Sequence, residues 1–228
     1  MALIEDIKDF IPYITEERYQ KMQEILNQRT RYVTMVMENL YDPHNISAVI
    51  RTSEAFGLQN LHVIELDHKY HTSRRVCRGS DHWVNLYKYK NQQTAVDNLH
   101  KQGYKVYFAD PRPDYPALDD LPLDHKLALV MGQEKRGISP EMKEMADGGF
   151  RLPLYGFVES FNVSVASALT ISNLVWRLRK NPPKGFFLSD EEKEKQMVHW
   201  IARNTLAANA LIKNGMQEKY LLKEEFLI

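Results

Sequence analysis

Short apolar runs alternate with amphipathic stretches through the middle of the chain. TRYVTMVMENL carries β-branched and aromatic residues from Tyr32 to Val36 and predicts a strand. In PHNISAVIRTSEAFGLQN, Ile46, Val49, Ile50 and Ser53 recur at helical spacing. Asn45 stands there as an N-cap, and Gly57 suits the left-handed position just past a helix. Leu61 to Leu66 follows as a strand. WVNLYKY, QQTAVDNLHKQG and YKVYFAD then repeat strand, helix and strand, with Gly103 ending the helix. LALVMG is short and continuously apolar, the pattern of a strand buried on both faces of a parallel sheet. Ser139 caps a helix that opens with Pro140, where a missing N–H costs nothing. FRLPL predicts a last strand, and FVESFNVSVASAL passes from loop into a buried helix, 163 to 179, with Asn162 at its cap.

This alternation predicts an α/β domain with a mostly parallel sheet over residues 31–180. Residues 1–30 read as a helical N-terminal arm in which Thr15 caps a helix and Glu16 and Glu17 sit at the positive end of its dipole. NPPKG, Asn181 to Gly185, breaks the pattern. Beyond it Ser189 and Glu192 form a capping box at the head of a charged helix, so residues 181–228 read as a helical C-terminal extension.

Composition narrows the class. With 228 residues, 43% hydrophobic and 26% charged, the chain is long enough for one substantial soluble domain with appendages, or for two small ones. No apolar run approaches the roughly 20 residues of a membrane span. The first residues lack the basic start, apolar segment and cleavage site of a secretory leader, so no membrane partner and a cytoplasmic location are expected. The single Cys77 cannot form an internal disulfide. Thirty basic and thirty acidic side chains cancel, so a nucleic-acid partner can show only in how charge is distributed. Arg29 with Arg31, Arg74 with Arg75 and Arg78, Lys135 with Arg136, and Arg177 with Arg179 and Lys180 form either an RNA track, joined by His44, or ordinary solvated faces.

Several chemistries drop out. GQEKRG, Gly132 to Gly137, has phosphate-loop spacing, but Ile138 and Ser139 follow where that motif needs Lys and Ser or Thr. No dinucleotide fingerprint opens a helix, the histidines lack metal-ligand spacing, and Ser160 lacks a nucleophile elbow. What remains is a polar set at the ends of apolar elements, where open α/β sheets bind ligands: Asn45, Arg51, Glu134, Ser160 and Asn162. Taken singly, Asn45 and Asn162 serve equally well as helix caps, and Arg51 with Glu134 as a surface pair.

PHNISAVIRTSEAFGLQNLHVIE, LALVMGQEKRGISPEM and LPLYGFVESFNVSVASAL together resemble, in order and separation, the three motifs of the SpoU (TrmH) branch of the SPOUT methyltransferases, over residues 31–180. The resemblance is closest to the tRNA guanosine 2′-O-methyltransferases. It implies a C-terminal deep trefoil knot, a rare exception to unknotted chains, and loops after Phe108, after Met131 and around Leu152 to Asn162 that cradle S-adenosylmethionine. Ala109, Gly132, Leu152 and Phe161 stand at the family's cofactor-contact positions, Phe161 in place of the more usual Leu. Arg51 matches the arginine proposed to activate a ribose hydroxyl. Asn45, Glu134, Ser160 and Asn162 match the remaining polar positions that shape the pocket and hold Arg51. The implied reaction needs no metal, and a homodimer is expected, with helix 163–179 serving both core and partner. The implied substrate is the D-loop guanosine of tRNA, position 18. Ribosomal RNA, or a knotted RNA-binding protein without catalysis, stays open.

Overall fold

The computed structural model describes residues 14–204 and 226–228. The parts of the N-terminal arm and C-terminal extension expected over 1–13 and 205–225 lie outside these residues. In chain order the elements are α1 (Glu16–Leu26), β1 (Val33–Glu38), α2 (Pro43–Ala55), β2 (Asn60–Ile64), β3 (Asn85–Tyr89), α3 (Gln92–Lys101), β4 (Tyr104–Ala109), β5 (Lys126–Met131), α4 (Pro140–Met145), β6 (Gly148–Phe150), α5 (Val163–Lys180) and α6 (Asp190–Asn204).

The six strands form one parallel sheet in the order β3-β2-β1-β5-β4-β6. Side chains alternate across it. Met35, Met37, Leu127, Leu129 and Met131 join Ile46, Val49 and Ile50 of α2 and Ile171 and Leu174 of α5 in one core. Val36, Ala128 and Val130 join Val96 and Leu99 of α3 and Met142 of α4 on the opposite face. Both faces are thus covered, which explains the unbroken apolar runs of β1 and β5. A third cluster packs Met22 and Leu26 of α1 against Met197, Trp200 and Ile201 of α6, so the two flanking helices bury each other. Residues 226–228 lie along β3, where Lys88 N donates to the Phe226 carbonyl and Ile228 N to the Leu86 carbonyl, each at 2.8 Å. They cover that exposed edge.

Local chemistry sets the element ends. The Thr15 side chain accepts from Arg18 N, Ser139 from Met142 N and Asn162 from Ser164 N, as their sequence contexts require. Ser189 and Glu192 exchange backbone-to-side-chain bonds of 2.8 and 3.2 Å in the expected capping box. Gly57 and Gly103 follow their helices at φ of 84° and 82°.

Two expectations are corrected. Asn45 is not the cap of α2: Asp42 accepts from His44 N, Pro43 takes the first turn, and Asn45 lies inside the helix. The last strand ends at Phe150 rather than running through FRLPL. Gly149 within it is required because a Cβ there would stand 2.7 Å from the rings of Phe108 and Tyr115. After β6, Arg151 is tied to the preceding crossover, donating from its N to Pro116 and accepting from Leu118 N, both at 2.9 Å. The chain then returns from the sheet edge to pack α5 on α2. No helix among the described residues is long and apolar enough to cross a membrane.

Candidate active site

Three connections that leave strand ends converge at the carboxyl end of the sheet: Ala109 to Pro111 after β4, Gly132 to Ile138 after β5, and the irregular stretch from Leu152 to Asn162 after β6. They enclose a cavity of about 540 Å³, within the range of small-molecule sites. Ala109, Gly132, Leu152 and Phe161, the four expected cofactor positions, all line it, as do Glu134, Ser160 and Asn162. Met131, Val163 and Ala166 complete the wall.

The loop after β5 is folded on itself. Gly137 N donates to the Gln133 carbonyl at 2.8 Å, and a Cβ at Gly132 would lie 2.4–2.5 Å from backbone atoms of Gly137 and Ile138. Only glycine lets these two strands of loop meet. Their backbone therefore forms the cavity edge, a concave surface that side chains do not fill.

A partly buried polar chain ties three elements together. Asn45 Nδ2 donates to Glu134 Oε1 at 3.0 Å, and Asn45 Oδ1 accepts from Asn162 Nδ2 at 3.2 Å. The remaining oxygen of Asn162 caps α5, accepting from Ser164 N at 2.9 Å and from Ser164 Oγ at 2.6 Å. Asn45 sits in the first turn of α2, so the start of α2, the β5 loop and the start of α5 hold one geometry. Glu134 Oε2 is buried without a hydrogen-bond partner among the described residues. An acceptor left open in this way stands ready for a donor from a ligand.

Asp110 closes the other side. Burial alone raises its carboxyl, but hydrogen bonds from Lys143 at 2.8 Å and from the backbone and side chain of Arg112, each at 3.0 Å, outweigh burial and hold it below the usual carboxylate range. Asp110 and Lys143 belong to the cavity although no motif singled them out. The signal available was Asp110's place at the end of a strand in an α/β sheet.

Arg51 stands apart from this network. It lies on α2 less than two turns beyond Asn45, is exposed, and has no ion pair or hydrogen bond among the described residues. The polar chain fixes Glu134 and Asn162 rather than Arg51, contrary to expectation.

The expected RNA-contacting arginines divide differently. Arg29 is 1% exposed: it pairs with Glu54 at 2.5 Å, donates to the carbonyls of Glu54 and Leu58, and lies over the Trp200 ring. No phosphate reaches it, and its expected RNA contact is withdrawn. Arg31 pairs with Glu192 at 3.5 Å. Arg177 donates to the carbonyls of Leu118 and Leu121, and Arg179 to the Gln28 carbonyl at 2.6 Å. These cations hold the flanks and the crossover in place. His44 is exposed at the head of α2.

Residues 32–172 match the family described as the SpoU rRNA Methylase family. A protein of Borreliella burgdorferi, named tRNA (guanosine(18)-2′-O)-methyltransferase, is 39% identical over 181 residues, 79% of this chain and 83% of its own. An Escherichia coli protein of the same name is 34% identical over 206 residues, 87% of each chain. Among solved structures, the A. aeolicus TrmH/SpoU tRNA modifying enzyme superposes with a TM-score of 0.76 at 26% identity, covering 83% of this chain and 97% of that one. The SpoU methyltransferase AviRb of Streptomyces viridochromogenes, solved with the cofactor AdoMet, shares the fold at a TM-score of 0.59 and 18% identity, over 69% of this chain and 62% of that one.

Proposed function

Because the chain belongs to the SpoU rRNA Methylase family, we propose that it transfers a methyl group from S-adenosylmethionine to the ribose 2′-hydroxyl of guanosine 18 in tRNA, the activity its relatives are named for. The observation that carries this reading is the convergence in one cavity of the glycine-edged loop, the open acceptor on Glu134 and the Asn45 link to Glu134 and Asn162.

The cofactor fits what the residues offer. Ala109, Gly132, Leu152 and Phe161 hold it, largely through backbone at Gly132, where side chains are sterically barred. Its sulfonium carbon is already electrophilic, so the difficulty lies with the ribose oxygen, a poor nucleophile until its proton departs. Arg51, exposed and unpaired among the described residues, would meet that ribose and its phosphate and, once it has given one guanidinium proton to solvent, take the hydroxyl proton as the oxygen accepts the methyl group that the cofactor would supply. A guanidinium holds its protons tightly, so the deprotonated form that can act as base is rare. A phosphate alongside orients Arg51 while the proton moves. Ser160 and the Asn45–Glu134–Asn162 chain keep the walls in register with it.

Two further features support a homodimer. Val165, Leu169 and Trp176 form a stripe on the outer side of α5, with Trp176 61% exposed, and Tyr155 in the preceding loop is 97% exposed. Such an apolar face is costly in water and calls for a partner. The return of the chain from β6 to α2, with Arg151 bound to residues 116–118, supports a knotted thread. The single buried Cys77 accords with a reducing cytoplasm.

Labelled S-adenosylmethionine offered with unmodified tRNA should place label on the ribose of G18, and none when G18 is already 2′-O-methylated. Label on ribosomal RNA alone, or none on either RNA while cofactor binds, overturns the reading.

A further inference from the structure

A second cavity, of about 430 Å³, lies on the other side of the β5 loop from the methyl-transfer pocket. The two share Gln133, Arg136, Gly137 and Ile138. It opens between the ends of β1, β2 and β5, where Glu38, Leu66, Asp67 and Gln133 line it. In the strand order 3-2-1-5-4-6 the chain reverses direction across the sheet between β1 and β5, the place where an α/β sheet offers a crevice.

Its polar groups are not all committed. Glu38 is spent, since its carboxylate accepts from Ser139 N at 3.1 Å, Ser139 Oγ at 2.5 Å and Gln92 Nε2 at 3.2 Å. Gln133 is different. Its residue is 9% exposed, yet its Oε1 has no partner among the described residues, an unmet buried acceptor of the kind that native structures rarely leave without a reason. At the mouth, Asp67 and Arg136 stand 3.4 Å apart with side chains 64% and 78% exposed. So exposed a pair contributes little to stability. It remains free to exchange its partner for a ligand. Leu66, half-exposed beside them, offers an apolar surface for a flat ring.

We propose that this second cavity receives the base of the target guanosine, with Asp67 accepting from its N1–H and N2–H groups, Gln133 Oε1 accepting a further donor, and Arg136 donating to O6. The inference rests on the guanosine reading of the neighbouring pocket. A carboxylate beside a guanidinium matches guanine's Watson–Crick edge, whereas adenine turns an amino donor toward Arg136 where guanine offers O6. Enzymes that act on one nucleotide commonly read its exposed edge in such a pocket. The loop between the two cavities carries Glu134, which lines the first, and Arg136, which lines both, so base reading and ribose placement share one short segment.

The test uses full-length protein and tRNA transcripts bearing guanosine, inosine or adenosine at position 18. Inosine keeps N1–H and O6 and lacks only the N2 amino group. Wild-type kcat/KM should favour guanosine over inosine by about tenfold. Asp67→Ala removes only contacts of 3.4 and 3.5 Å, to Arg136 and Asn39, and should bring guanosine and inosine together with the affinity for S-adenosylmethionine unchanged by calorimetry. Arg136→Met should lower guanosine and inosine alike relative to adenosine. An Asp67→Ala enzyme that keeps the wild-type guanosine-to-inosine ratio overturns the proposal. If wild-type protein transfers no methyl group, the functional reading fails by itself. Filter binding of the same transcripts then decides this one: a guanosine preference lost in Asp67→Ala sustains it, and equal binding of all three overturns it.

Discussion

Gly132 has no room for a methyl group. A Cβ there would press on backbone atoms of Gly137 and Ile138 at 2.4–2.5 Å, and backbone cannot yield as the end of a side chain does. Gly132→Ala should therefore open the loop and weaken S-adenosylmethionine by about tenfold or more, read by calorimetry, while the core beneath is untouched. Arg51→Ala makes the opposite case. With no partner among the described residues it should leave the melting temperature unchanged and abolish transfer in a single-turnover assay. Full activity would remove Arg51 from the chemistry. Arg29 shows what a sequence hides at this scale. Its charge reads like that of Arg31, yet it is buried against Glu54 and Trp200. Arg29→Ala should cost about 3 kcal/mol of stability by leaving that site unpaired, seen in urea unfolding, with tRNA affinity unchanged. Asp67 and Gln133 were invisible in the sequence for a related reason. No motif contains Asp67, and whether a buried amide oxygen finds a partner depends on the fold.

At the scale of elements, caps and periodicity carried most of the fold. Thr15, Ser139, Asn162 and Ser189 act where expected because each bonds to its own neighbours along the chain. Asn45 failed as a cap because Asp42 and Pro43 compete for the same turn, and proline at the first helical position decides for Asp42. β6 was misplaced because glycine reads as a breaker, whereas here the rings of Phe108 and Tyr115 demand it. Helix α5, expected to serve both core and partner, has two distinct faces in the structure: Ile171, Leu174 and Val175 are buried, and Val165, Leu169 and Trp176 face outward. Trp176 touches Phe56 edge-on at 5.7 Å, which orients it without covering it. If that stripe meets a second copy, Trp176→Asp should raise the dimer dissociation constant by about thirtyfold, measured by sedimentation at several concentrations. An unchanged constant would place the interface elsewhere.

At the scale of the whole molecule, two buried imidazoles among the described residues make stability sensitive to acid. His62 of β2 is stacked on Tyr87 and Tyr89 of the neighbouring β3, with Nδ1 bonded to the Tyr89 hydroxyl at 2.9 Å and Nε2 without a partner among the described residues. Burial pushes its pKa down to about 3. Burial, with Arg203 nearby, takes His199 in the α1–α6 cluster down to about 4. In the unfolded chain both protonate near pH 6.5. Between that pH and their folded values the unfolded state binds more protons, so stability falls as pH drops. It is fully present above about pH 6.5 and lost progressively toward pH 3. Glu65 adds a second, more acidic stage. Burial raises its carboxyl, but bonds from Lys90, Tyr70 N and Lys88 prevail and hold it down to about 2, so its contribution fades below about pH 4.5. Urea midpoints should accordingly hold from pH 8 to about pH 6.5 and decline from there to pH 5, above the range in which Glu65 contributes to the loss. His62→Phe keeps the stacked ring and removes the titrating group. It should flatten that decline whatever it does to stability at pH 8, because the slope counts protons and the intercept counts packing. An equal slope in the variant would assign the early loss to His199, and with it to the seam between the two flanking helices rather than to the sheet.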